Sequence, residues 1–147
     1  MKIKTKYFGD FEVAADEILH FKRGLFGFED MTSFTLIPFE EENDASFLCL
    51  QSTEDEELAF ILFNPFFIDP DYNPKLQKED IDDLKIGDKT PVAFLAITVI
   101  YEKFEDSTAN MKCPIVINND TRQAKQLILE QDFSMRRRIN ALQKEAR

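Results

Sequence analysis

Few residues of this chain could do chemistry. His20 is the single histidine, and Cys49 and Cys113 are the two cysteines, in 147 residues. A zinc centre takes four ligands, and these three stand at no spacing that closes one. His20 alternates with Ile18 as on a strand, so it reads as a structural histidine. A nucleophile needing a histidine base would have only this imidazole to use. Gly24-x-x-Gly27 lacks the third glycine and the strand–helix setting of a dinucleotide loop, so both glycines read as turn residues. Asp69-Pro70-Asp71-Tyr72-Asn73 copies the opening of a calcium loop. The sixth position, however, is Pro74 where that loop needs glycine, and the twelfth is Asp80 in place of a bidentate glutamate. Asn119-Asp120-Thr121 is a glycosylation acceptor only in a secreted chain. Carboxylates abound, but most stand in runs that read as solvated faces, with no pair marked out for glycosidase chemistry. No catalytic, cofactor-binding or metal-ligating residue is assigned, and no enzymatic activity or cofactor is expected.

What remains is surface. Asn64-Pro65-Phe66-Phe67-Ile68 sets large apolar side chains beside prolines 65, 70 and 74. A loop that keeps such rings either tucks them into the core or offers them to a partner. The candidate protein-binding residues are therefore Asn64, Phe66, Phe67, Asp71 and Tyr72, together with Glu54, Glu56 and Glu57 of the acidic run 54–57.

The elements that must position these residues are mostly strands. Ile3, Thr5 and Tyr7 alternate with Lys2, Lys4 and Lys6, the pattern of a half-exposed strand, and Phe8-Gly9-Asp10-Phe11 reads as a turn. Short strands are expected at Ile18–Phe21 and Phe34–Pro38, and stronger ones at Phe47–Ser52 and Leu58–Asn64. Val92–Tyr101 is expected to be the longest. The interiors of Phe47–Ser52, Leu58–Asn64 and Val92–Val99 should be the most buried segments. Residues 65–76 read as a loop. Ile81 and Leu84 recur at helical spacing within 77–86, with Gly87 as the stop. Met111–Ile117 and Gln126–Leu129 suggest a hairpin about Asn118-Asn119-Asp120. Several short strands with one mid-chain helix point to an antiparallel barrel or sandwich. Residues 134–147 have helix-forming composition but little apolar surface, so this tail is expected to be helical or disordered.

Composition sets the class of partner. With 44% hydrophobic residues and 15 Phe, the chain can bury a core without metals or disulfides. Cys49 and Cys113 lie in apolar runs and are expected to be buried and unbridged. No apolar segment follows Lys2, Lys4 and Lys6, and no apolar run approaches the length of a membrane span, so a cytoplasmic protein is expected. The net charge is −10, but residues 134–147 carry five basic side chains and one acid, which leaves −14 on the first 133. Such a body repels nucleic acid and anionic membranes and attracts basic proteins over a Debye length of about 8 Å. Solubility alone is the plainer reading of the same charge.

Several motifs, in order, resemble the FliW family of bacterial flagellar assembly factors. They are Gly24-Leu25-Phe26-Gly27-Phe28-Glu29, Phe47-Leu48-Cys49-Leu50-Gln51-Ser52, Leu58-Ala59-Phe60 leading to Asn64-Pro65-Phe66, Pro70-Asp71-Tyr72, and above all Thr108-Ala109-Asn110-Met111-Lys112-Cys113-Pro114-Ile115-Val116-Ile117-Asn118, followed by Lys125-Gln126-Leu127-Ile128-Leu129. Met111 and Cys113 stand where that motif usually has Leu and Ala. The resemblance covers Ile3 to about Phe133, which makes 1–133 the family-like domain and 134–147 a separate basic tail. It implies a mostly β, barrel-like single domain, monomeric when free, with two protein partners. One is flagellin. The other is CsrA, an RNA-binding translational repressor that the protein would antagonise once flagellin releases it. A dedicated flagellin chaperone without CsrA antagonism is the alternative. The acidic clusters Glu40-Glu41-Glu42, Glu54 to Glu57, and Glu79 with Asp80, Asp82 and Asp83 are the candidates for CsrA, and Phe66, Phe67 and Tyr72 for flagellin.

Overall fold

The computed structural model describes residues 1–40 and 47–139. Strands β1 (Lys2–Thr5) and β2 (Gly9–Glu12) form a hairpin with register Lys2↔Glu12. Seven strands then close a barrel: β3 (Ile18–Phe21), β4 (Ser33–Pro38), β5 (Leu48–Ser52), β6 (Ala59–Phe63), β7 (Val92–Val99), β9 (Ile115–Asn118) and β10 (Gln123–Gln126). Around the barrel the order is β7-β6-β5-β4-β3-β10-β9, and β9 returns to β7 with Leu95 opposite Ile115. All pairs are antiparallel but one, since β10 lies parallel to β3 through Ala124↔Phe21. Two short strands, β8 (Thr108–Ala109) and β11 (Arg137–Arg138), add to the sheet alongside the last two residues of β7.

Period-two alternation divides the apolar residues into an inner and an outer core. Leu19, Phe21, Phe34, Leu50, Leu62, Leu95, Ile115 and Ile117 fill the barrel. The outer faces of β6, β7 and β9 present Phe63, Ala96 and Val116 to a second core made with Ile68, Tyr72, Leu84, Leu127 and Ile139. β9 is therefore buried on both faces at all four residues, while the first halves of β6 and β7 are only half-buried. The expectation that β6 and β7 would be among the most buried segments fails because a strand needs cover on both faces.

The register defines two ends. Phe34↔Ser52, Gln51↔Ala59 and Leu62↔Ile97 place loop 22–32, loop 53–58 and the C-terminal end of β7 at one end. The C-terminal end of β10 joins them, because Gln126 lies opposite Ile115. Segment 64–91 and turn 119–122 belong to the other end.

Segment 65–76 is not all loop. Pro65–Ile68 makes one helical turn, α1, because Pro65 supplies a preset φ at its start and Asn64 Oδ1 accepts the Phe66 N–H at 2.9 Å. α2 spans Lys78–Leu84, within the range read from the sequence. It ends at Lys85, whose φ of 53° takes the left-handed position that Gly87 was expected to fill. The β9–β10 hairpin is also shifted from its expected bounds. Asn118 Oδ1 accepts from Asp120 and Thr121 N–H while its Nδ2 donates to Leu84 O, so this one buried side chain sets the turn and ties it to α2. At the C-terminus, Arg137–Arg138 form a strand and Ile139 is buried, where helix or disorder was expected. Residues 140–147 of the tail lie outside the described residues.

Candidate protein-binding surfaces

Two loops at the first barrel end are held rigidly. In loop 22–32, Gly24 has φ +64° and Gly27 +86°. A Cβ on Gly24 would lie 2.5–2.6 Å from Phe28 O, Glu29 Cα and Glu29 O, so only glycine lets the loop fold back this tightly. Phe28 N donates to Leu25 O at 2.7 Å, Phe26 N to Gln126 Oε1 at 3.0 Å, and Gly27 N to Glu29 Oε2 at 2.6 Å. The outcome is unusual for a loop so well tied. Phe26 and Phe28 stay 49% and 41% exposed, Phe28 resting edge-on against Phe60 at 5.6 Å. Phe26 also borders a groove of about 230 Å³ shared with Ile128, Arg23 and Lys125.

Loop 53–58 is organised from beneath by Gln51 and Ser52, both fully buried. Gln51 Nε2 donates to the carbonyls of Ser52, Asp55, Glu56 and Leu58 at 3.1–3.3 Å, and its Oε1 accepts Lys6 N–H. Ser52 Oγ accepts from Glu54 and Asp55 N–H at 3.0 Å each. Glu54, Glu56 and Glu57 thus project from a fixed backbone and are exposed. The two loops touch, with Thr53 Oγ1 donating to Ser33 Oγ at 2.6 Å and Thr32 N to Glu54 Oε1 at 3.4 Å.

The aromatics predicted from the sequence sit at the opposite end. Phe66 is 38% exposed and meets Tyr72 and Phe94 at 5.6 and 6.1 Å between ring centroids. Phe67 is half-buried against Phe63. Tyr72 is only 4% exposed; its hydroxyl donates to Met111 O at 2.8 Å and its ring packs on Phe133 at 4.8 Å. Burial pushes its phenol well above the usual tyrosine range. Asn64 acts as the cap of α1, and Asp71 is exposed with its N–H on Asp69 Oδ1. The eight candidate residues therefore do not form one surface: Glu54, Glu56 and Glu57 lie at one end of β6, and the Asn64–Tyr72 group at the other. Phe26 and Phe28 were missed, although aromatics alternating with two turn glycines were the available signal.

Three acids of α2 are engaged. Lys125 Nζ donates to Asp80 Oδ1 and Asp83 Oδ2, each at 2.8 Å, and Arg23 reaches Asp83 at 3.3 Å and Glu79 at 3.6 Å. The hydrogen bond from Lys125 holds the Asp83 carboxyl below its usual range. Burial disfavours the Lys125 charge, but its bonds to Asp80 and Asp83 outweigh this and hold its pKa up. Asp80 and Asp83 thus clasp α2 to β10, and Glu79 pairs with Arg23, while Asp82 is exposed. Of run 40–42, only Glu40 is among the described residues. Asp69, the first position of the calcium-like motif, takes the Asp71 N–H and lies 3.8 Å from Arg137 Nη1. Among the described residues, no group of three or more His, Cys, Asp and Glu is arranged to hold a metal ion, and no helix is long and apolar enough to cross a membrane.

Comparison with known proteins places this arrangement. The family model "FliW protein" matches residues 2–139. The flagellar assembly factor FliW of Bacillus licheniformis is 43% identical over 129 residues, covering 88% of this chain and 89% of that protein. Its counterpart in Bacillus velezensis is 40% identical with the same coverage. A crystal structure of the flagellar assembly factor FliW superposes with a TM-score of 0.86 at 35% identity, covering 95% of this chain and 96% of the other.

Proposed function

Because the chain belongs to the FliW family of flagellar assembly factors, we propose that it works in the cytoplasm as a non-catalytic, protein-binding regulator of flagellin supply. It holds flagellin while the filament subunit accumulates. Once flagellin is exported, the freed protein binds CsrA and lifts its repression of flagellin translation. The observation that carries the protein-binding part is the exposure of Phe26, Phe28 and Phe66 on backbones fixed by hydrogen bonds. Aromatic anchors on pre-organised loops bury much area while freezing few rotors, the economy that protein interfaces favour. The charge supports the second partner. An RNA-binding protein must present positive potential, and a body of −14 docked beside it disfavours RNA without occupying the RNA site.

Titration calorimetry against purified flagellin and purified CsrA, separately and in competition, tests the reading. Binding to both, with flagellin displacing CsrA, is expected. Binding to flagellin alone replaces it with a dedicated chaperone, and binding to neither overturns it.

A further inference from the structure

We propose that the barrel end formed by loops 22–32 and 53–58 is the docking surface for the basic, RNA-binding partner, with Phe26 and Phe28 as its apolar anchors. This rests on the two-partner reading above and assigns one of its surfaces. Three observations converge. The anchors are rigid: Phe26 and Phe28 remain 49% and 41% exposed on a loop that Gly24 can fold only as glycine. The surround is predominantly acidic. Loops 22–32 and 53–58 hold six acids, Glu29, Asp30, Glu54, Asp55, Glu56 and Glu57, against two bases, Lys22 and Arg23, at the start of the first loop. The cations that border the groove beside Phe26 are already engaged, Lys125 with Asp80 and Asp83, and Arg23 with Glu79 and Asp83.

An apolar centre inside an acidic rim selects the occupant. A second copy of this chain would set six acids against six, and an anionic membrane or RNA would meet the same repulsion. A protein surface with aliphatic or aromatic side chains flanked by lysine or arginine fits both features. Flagellin is then left to other surfaces, among them the Phe66 end.

The test uses the full chain, purified CsrA and purified flagellin. Phe26→Ser changes a half-exposed ring and should leave the thermal midpoint nearly unchanged, yet weaken CsrA binding about 30-fold. Glu54→Gln/Glu56→Gln/Glu57→Gln should slow CsrA association about three- to tenfold at 50 mM salt and lose that effect at 500 mM. Phe66→Ser should bind CsrA as the parent does. Hydrogen exchange adds a readout free of mutation: CsrA should protect residues 24–31 and 53–58, and flagellin should not. Parental CsrA affinity in the Phe26→Ser variant overturns the assignment, as does protection of these loops by flagellin alone, and both leave the two-partner reading standing. No CsrA binding by the parent protein overturns that reading and this assignment together.

Discussion

Gly24 and Gly27 differ in a way that φ alone does not reveal. Both have positive φ, but only at Gly24 would a Cβ meet backbone atoms, while Gly27 faces open space. Gly27→Ala should cost about 1 kcal/mol, the ordinary left-handed penalty, and Gly24→Ala about 3 kcal/mol or more, because no side-chain rotation relieves a clash with backbone. Urea unfolding of the two variants reads the difference. The cysteines are set by burial. Burial pushes Cys49 up to about 11 despite the opposing charge of Lys6, and it raises Cys113 as well. Neither should react with a thiol reagent at pH 8 in the native state, and both should react in denaturant. The linkage sign follows. These thiols ionise more readily in the unfolded chain, so their contribution is intact below about pH 8.5 and is lost as pH rises towards 11. Buried Tyr72 adds to the same alkaline loss from about pH 10.

Elements are joined by a few specific polar contacts. The Lys125 clasp is mostly buried, with Lys125 and Asp80 side chains 16% and 13% exposed. Lys125→Met should destabilise by about 2 kcal/mol, chiefly by leaving Asp80 without its partner. Asp83 is held below its ordinary 3.8 and Lys125 above its ordinary 10.5. The contribution of Asp83 therefore holds above about pH 4 and fades as pH falls through its lowered value, while that of Lys125 fades only in strong alkali. The stability gap between parent and variant should be level from about pH 5 to 9 and narrow in acid. Strand β11 is a second joint. Ile139, 2% exposed, lies in the outer core, and its N–H donates to Ser107 O at 3.0 Å. Removing residues 134–147 should cost about 2–4 kcal/mol, and Ile139→Ala most of that. Equal unfolding midpoints for the full and truncated chains would show that 134–139 is dispensable.

The whole molecule combines a filled barrel with an uneven field. Its interior is packed by side chains from all seven barrel strands, so the barrel offers partners its ends and outer faces. The first 133 residues carry −14, and screening shortens the reach of that field about threefold between 50 and 500 mM salt. Association with a basic partner should slow markedly over that range, while dissociation changes little. Stopped-flow measurement of both rates checks this. A flat association rate would reduce the acidic body to a matter of solubility.

What the sequence determined by itself was local. Alternating Leu19 and Phe21, Leu48 and Leu50, and Ile115 and Ile117 fixed strands with one face inward, because side chains of a strand alternate whatever it pairs with. The ordered motifs fixed the family, and the apolar surroundings of Cys49 and Cys113 were enough to predict their burial. Other features depended on what lies opposite. Tyr72 looked like a partner-facing ring until Met111 and Phe133, distant in sequence, were found covering it. Glu79, Asp80 and Asp83 looked like part of an open face until Lys125 and Arg23 reached them across the fold. Phe26 and Phe28 drew no attention because two glycines announce a turn but not the direction in which it throws its rings. Exposure is a property of pairs of segments, and only closure of β9 on β7 and β10 on β3 decided which segments met.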